Sequence, residues 1–177
     1  MKLNRQVFSA LALVGLTQAP ASATLPTPPA SAAPRDAQAF LFNAGTGDIF
    51  EITTSMMAIQ HSQNPQVRAF ARMLIADHTN LTNTSLAAAK GAGVMPPPPE
   101  LSPMQKVMIT QLIAATPANF DRTYLSQQVP AHQMALQMMQ GYASSGDVPQ
   151  LRQAASAAIP VVTGHLQQAQ QLIATTR

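Results

Sequence analysis

The sequence contains no cysteine, which excludes disulfide bonds and thiolate metal ligands. No apolar run, including residues 7–16, reaches the roughly 18 residues that a membrane-spanning helix needs. Charged residues make up only 10% of the chain and aromatic residues 5%. Because no basic patch is interleaved with aromatic side chains, the sequence does not predict nucleic acid binding. The abundant Ala, Gln and Met side chains favour closely packed helices.

The start of the chain has the pattern of a secretory signal peptide, which we assign to residues 1–23. Lys2 and Arg5 precede the apolar residues 7–16, and the small residues 21–23 fit a cleavage site. We therefore expect cleavage after Ala23 and a periplasmic or secreted protein without a membrane span.

The following residues, 24–35, are rich in Pro, Ala, Ser and Thr and predict a disordered linker. Residues 36–177 are then long enough for one folded domain with its own core. Without Lys2 and Arg5 the remaining chain has eight basic and seven acidic residues, so it is nearly neutral.

Helical periodicity predicts the fold. It is clearest in the second helix, where Val67, Phe70, Leu74 and His78 follow the i, i+3, i+4, i+7 rule. No strand-like alternation occurs, and the four prolines at 96–99 favour an extended spacer. We predict an all-α protein, an antiparallel four-helix bundle with one long Pro-rich connection between helices 2 and 3.

Imidazoles occupy apolar positions in three of these helices. His78, His132 and His165 each fall on the seam of a different helix, and Glu51 lies beside the seam of the first. If the turns near residues 63 and 146 lie at the same end, a rise of 1.5 Å per residue puts Glu51 about 19 Å deep and His78 and His132 about 21 Å deep. His165 then lies about 28 Å deep, roughly one turn lower.

Two interpretations of these residues remain open. In the first, the histidines join a buried hydrogen-bond network with Asp77, Asp121 and Tyr124 that holds the helix register without binding anything. The protein is then a non-catalytic envelope protein, acting in stress tolerance or in interactions with itself or an envelope partner. No phosphate loop or nucleophile elbow occurs in the sequence, so we do not predict an enzyme.

In the second interpretation, Glu51, His78, His132 and His165 bind one divalent transition metal ion such as Zn, Fe or Cu. A di-iron site is not expected, since Ile75 and Val162 stand where its Glu-x-x-His motifs need glutamate. A cluster of methionines at 134, 138 and 139 offers soft ligands for copper, although Met also fills gaps in helical cores.

Four segments resemble the exported bacterial family known as domain of unknown function 4142. They are FLFNAGTGDIFEITTSMMAI, NPQVRAFARMLIADHTN, NFDRTYLSQQVPAHQMAL and AAIPVVTGHLQQAQQL, which occur in that order within about residues 36–173. The resemblance implies a ferritin-like four-helix bundle in the bacterial envelope, with no established reaction. Its pattern includes the residues that we identify here as Asp77-His78, Phe120-Asp121-x-x-Tyr124, His132 and His165.

Overall fold

A computed structural model of the protein describes residues 30–176. The predicted signal peptide and the first part of the predicted linker lie outside the described residues. The described part is all-α, as predicted, and contains no β-strand. Its helices are the short 3-10 helix Ala30–Ala32, α1 (Ala37–His61), α2 (Pro65–Gly91), α3 (Pro103–Ile113), α4 (Phe120–Ser145) and α5 (Pro149–Thr175).

The helix ends have local causes in the sequence. The Asp36 carboxylate accepts a hydrogen bond from the Ala39 amide at 2.7 Å at the start of α1. The Asn64 side chain caps α2, whose first residue is a proline, and Ser102 forms a capping box with Gln105 at the start of α3. After α2, Gly93 adopts the left-handed backbone conformation, with φ of 71°, which stops the helix.

The four long helices form the bundle, and each packs against two neighbours in the cyclic order α1, α2, α5, α4. One apolar cluster joins the end of α1 and the start of α2 to the start of α4 and the end of α5; it includes Ala58, Phe70, Phe120 and Ala169. A second cluster joins the opposite ends and includes Phe40, Ala89, Tyr142 and Leu151. The short turns at 62–64 and 146–148 therefore lie at opposite ends of the bundle.

This arrangement corrects the assumption that the two turns share one end. Residues 92–119 run along the length of the bundle, so α4 starts beside the α1–α2 turn. Along the way the Thr46 hydroxyl donates to the Glu100 carbonyl at 3.1 Å, and Leu112 of α3 joins the first apolar cluster. A single long crossover of this kind is the ferritin-like form of the four-helix bundle. All neighbouring helices are antiparallel, as predicted.

The described structure begins before the predicted domain boundary. Ala33 is buried at 1% exposure, and the Asp147 amide donates to the Arg35 carbonyl at 3.0 Å. Residues 30–35 therefore pack on the turn between α4 and α5, although their composition predicted a disordered linker. Among the described helices, none is both long and apolar enough to cross a membrane.

Candidate metal centre in the bundle core

The crossover brings the four predicted ligand positions to one level. Glu51 lies ten residues before the end of α1, and His165 lies ten residues before the end of α5. His78 lies thirteen residues after the start of α2, and His132 twelve residues after the start of α4. At 1.5 Å per residue, these positions are all about 15–20 Å from the same end of the bundle. The expectation that His165 lies a turn deeper was therefore wrong, because it rested on the wrong chain direction.

His78, His132 and His165, which we call the His triad, meet in the core. Their ring centroids are 5.6, 5.2 and 5.4 Å apart for the pairs 78–132, 78–165 and 132–165. One ring nitrogen of each lies within 4.8 Å of the others. All three residues are at most 2% exposed. Three imidazoles from separate helices thus share one buried layer of the bundle.

Each ring has one nitrogen held by a neighbouring acceptor. His132 Nδ1 donates to the Gln128 carbonyl at 2.9 Å, which requires the proton on Nδ1 because a carbonyl only accepts. His78 Nδ1 donates to the Asp48 carboxylate at 2.9 Å. The other Asp48 oxygen accepts from the Thr82 hydroxyl. In the neutral rings, these bonds leave the lone pair on Nε2 of both histidines.

His165 is held in the same way through the opposite nitrogen. Its Nε2 donates to Asp77 at 2.9 Å, so the neutral ring has its lone pair on Nδ1. The three nitrogens with lone pairs, Nε2 of His78, Nε2 of His132 and Nδ1 of His165, are buried and have no hydrogen-bond partner. The chain therefore orients three imidazoles and leaves one acceptor on each unsatisfied.

Glu51 lies on the other side of two of these rings. Its carboxylate oxygens are 3.2 Å from His78 Nδ1 and 3.2 Å from His132 Nδ1. These nitrogens are already bonded to Asp48 and Gln128, and Glu51 Oε1 has no hydrogen-bond partner. Burial raises the pKa of Glu51 to about 7. The structure thus brings Glu51 next to the His triad, but beside the nitrogens that carry protons.

The three histidines differ in how their surroundings shift their pKa values. Burial lowers the pKa of His132 to about 3, and it also lowers the pKa of His165. Burial acts in the same direction on His78, but the negative charge of Glu51 and the hydrogen bond to Asp48 outweigh it and raise the pKa of His78. Two of the imidazoles are therefore held in the neutral form that metals bind.

The remaining predicted polar residues have different positions. Asp77 holds His165, as described above, while the Tyr124 hydroxyl bonds to Ser55 at 2.8 Å, one turn along α1 from Glu51. Asp121 lies in the first turn of α4, well away from the His132 level, and its Oδ1 has no hydrogen-bond partner. The structure does not join Asp121 to the His triad.

Two partners of the His triad were not identified from the sequence. Asp48 lies on the apolar seam of α1, three residues before Glu51, so its position was a usable signal. Gln128 lies four residues before His132 and acts through its backbone carbonyl, while its side chain donates to the Thr54 hydroxyl at 3.0 Å. A backbone acceptor leaves no trace in the sequence.

Solved structures share this fold. CopM in the Cu(II)-bound form has a TM-score of 0.68 at 22% identity, covering 78% of this chain and 96% of that chain. CopM in the Cu(I)-bound form has a TM-score of 0.66 at 24% identity, covering 77% and 94%. CopM in the apo form has a TM-score of 0.63 at 22% identity, covering 77% and 94%.

No curated protein matches the chain. The family comparison, in contrast, extends over most of its length. Residues 22–172 match the family described as domain of unknown function DUF4142, and this chain belongs to that family.

Proposed function

We propose that this protein binds one transition metal ion through the unpartnered nitrogens of the His triad. The observation that carries the proposal is the set of three buried ring nitrogens, one from each of three helices, that lack a hydrogen-bond partner. A buried polar atom left unsatisfied costs about 1–3 kcal/mol. A purely structural network would be expected to pair these nitrogens, whereas a bound ion satisfies all three together.

The surroundings of the triad support the same function. Metal-binding histidines almost always donate their other ring nitrogen to a carboxylate or a carbonyl, which fixes the tautomer. Asp48, Gln128 and Asp77 supply such acceptors here. The carboxylates of Asp48, Glu51 and Asp77 also offset the charge of a divalent ion, because an imidazole that binds a metal is itself neutral.

The donor set favours copper or zinc. Imidazole nitrogen suits Zn, Cu, Fe and Ni, and divalent copper binds most tightly to a given set of ligands in this series. Bonds of 2.0–2.1 Å place the ligand nitrogens of a trigonal or tetrahedral ion about 3.4 Å apart. One ring nitrogen of each triad histidine lies within 4.8 Å of the others, so movements of the rings are needed to reach that spacing. CopM shares the fold and has copper-bound forms, so copper is the first ion to test.

We propose further that the chain is exported and holds its ion in the bacterial envelope. Residues 1–23 carry the pattern of a signal peptide that favours this location. In this proposal Glu51 acts as a carboxylate next to the site, and not as a direct ligand. The competing function is a purely structural polar core, supported by the hydrogen bonds of Asp48 and Asp77 to the triad.

Metal titration of untagged protein tests the proposal. Chelator-treated protein is titrated with Cu(II) and with Zn(II) by calorimetry, and its metal content is measured after dialysis. We expect one equivalent to bind, and His78→Ala, His132→Ala and His165→Ala each to weaken binding at least about 100-fold, since each removes one ligand. His61→Ala is the matched control, because the fourth histidine is exposed and packs on Phe120 outside the triad.

Two results would overturn the proposed metal binding by the His triad. A wild-type protein that takes up neither ion would exclude metal binding and leave the structural core. Equal stoichiometry and affinity in all three triad variants would place the ion elsewhere.

A further inference from the structure

A cavity of about 460 Å³ lies between α1 and α4 and reaches one side of the candidate centre. Its lining includes Asp48, Glu51 and His78, whereas His132 and His165 do not line it. Small and apolar residues such as Ala44 and Ala131 form much of the wall. The cavity therefore leads to the carboxylate side of His78 and stops before the rest of the triad.

The residues at this end of the cavity could themselves hold a cation. Asp48, Glu51 and His78 each offer one ligand atom within 4.8 Å of the other two. Glu51 is 2% exposed, and its Oε1 lacks a hydrogen-bond partner. Negative groups at the base of an apolar cleft focus the electric field and raise the local concentration of cations.

We propose that Asp48, Glu51 and His78 form a capture site, through which a divalent metal ion enters from the cavity before it binds the His triad. This inference rests on the proposed metal binding and adds the route by which the ion arrives. His78 belongs to both groups of ligands. Its neutral ring has one lone pair, so His78 can bind an ion in only one of the two sites at a time. His78 would offer Nδ1 to an ion at the capture site, with its ring proton on Nε2, and Nε2 to an ion in the triad, with its ring proton on Nδ1 and bonded to Asp48. Each change of tautomer releases a proton from one ring nitrogen and takes up a proton at the other.

Charge-removing variants test the capture site. Cu(II) loading is followed by stopped-flow quenching of tyrosine emission, since the chain has two tyrosines and no tryptophan. Glu51→Gln keeps the shape and removes the charge, so we expect the association rate to fall about tenfold. Asp121→Asn is the matched control, because it also removes one carboxylate charge, while Asp121 lies in the first turn of α4 and does not line the cavity. We expect this control to load Cu(II) at the wild-type rate.

Filling the cavity tests the route itself. A Cβ added at Gly47, which lines the cavity, meets nothing within 4 Å, and the same is true at Gly91 at the end of α2. Gly47→Leu should therefore slow Cu(II) association about tenfold while changing the equilibrium affinity less than about threefold. Gly91→Leu should load at the wild-type rate. If Gly47→Leu lacks the wild-type helical circular dichroism, Ala135→Leu fills the same cavity from α4.

The outcomes separate this inference from the function on which it rests. Wild-type protein that binds no Cu(II) removes both. Wild-type protein that binds Cu(II), while Glu51→Gln and the cavity-filling variant load at the wild-type rate, leaves the His triad site intact and refutes the capture site and its route.

Discussion

Replacement of His132 by asparagine should change how the stability of the metal-free protein depends on pH. His132 is fully buried, and burial lowers its pKa to about 3 from an ordinary value of 6.5. The unfolded chain therefore takes up a proton on His132 at a pH where the folded chain does not. Stability from the neutral ring is fully present above pH 6.5 and is lost as the pH falls towards 3.

The size of the effect follows from the shift. Each pKa unit corresponds to about 1.4 kcal/mol, so acidification from pH 7.5 to 4.5 costs about 3 kcal/mol through His132. Glu51 acts in the opposite direction, because its pKa of about 7 lets the folded chain bind a proton before the unfolded chain does. The wild-type curve alone therefore shows a partly cancelled effect, and the comparison with a variant isolates His132.

The variant His132→Asn is suited to this comparison because its amide nitrogen can replace Nδ1 as the donor to the Gln128 carbonyl, and it cannot titrate. Urea unfolding, followed by circular dichroism in the presence of a chelator, gives the free energy of unfolding at pH 7.5 and 4.5. We expect the wild type to lose about 3 kcal/mol more than the variant over this range. His61→Asn serves as the exposed control. Equal losses of unfolding free energy in the wild type and in His132→Asn between pH 7.5 and 4.5 would refute the reasoning that His132 is held neutral.

Three further predictions concern the fold and are measured by chemical or thermal unfolding. Gly93→Ala should lower the free energy of unfolding by about 1 kcal/mol because φ is 71° at this position, whereas Gly91→Ala should raise it. An added Cβ meets nothing within 4 Å at either position, so equal effects of the two substitutions would contradict the argument from backbone conformation. Ser55→Ala should lower the free energy of unfolding by about 1–3 kcal/mol, because it leaves the buried Tyr124 hydroxyl unpaired, and adding Tyr124→Phe should recover part of that loss. Purely additive effects of the two substitutions would contradict a direct bond between Ser55 and Tyr124. Leu74 is 0% exposed, so Leu74→Ala should lower the free energy of unfolding by about 2–5 kcal/mol, whereas Leu86→Ala, at a position that is 45% exposed, should lower it much less. Similar losses in the two variants would contradict the assigned core.

The helices were predictable from the sequence because their signals are local. Asn64-Pro65 and Ser102-Pro103 mark helix starts within a few residues, and the seam of α2 repeats often enough to identify its buried face. The direction of α4 was not predictable in the same way. The apolar seam of a helix has the same pattern whichever end of the bundle the helix starts from. The seam therefore does not reveal the direction of α4, which the packing of the helices in the structure shows.

The candidate site was partly predictable for a related reason. Imidazoles at apolar positions stand out in a chain with few charges, and this identified His78, His132 and His165. Their partners depend on how the helices are rotated and staggered against one another, which the sequence does not state. The predicted level of Glu51 is therefore confirmed, whereas its position beside Nδ1 of His78 and His132 could not be read from the sequence.

The crossover divides the bundle into two helical hairpins, α1–α2 and α4–α5, and in each hairpin the two consecutive long helices pack against each other. The first hairpin supplies His78 and the second supplies His132 and His165, so neither half holds the complete triad. If the proposed ion binds, it joins the two hairpins, so a chain cut within residues 95–100 should reassemble more tightly with Cu(II) than without it. Metal loading of the two fragments would then report that they have docked.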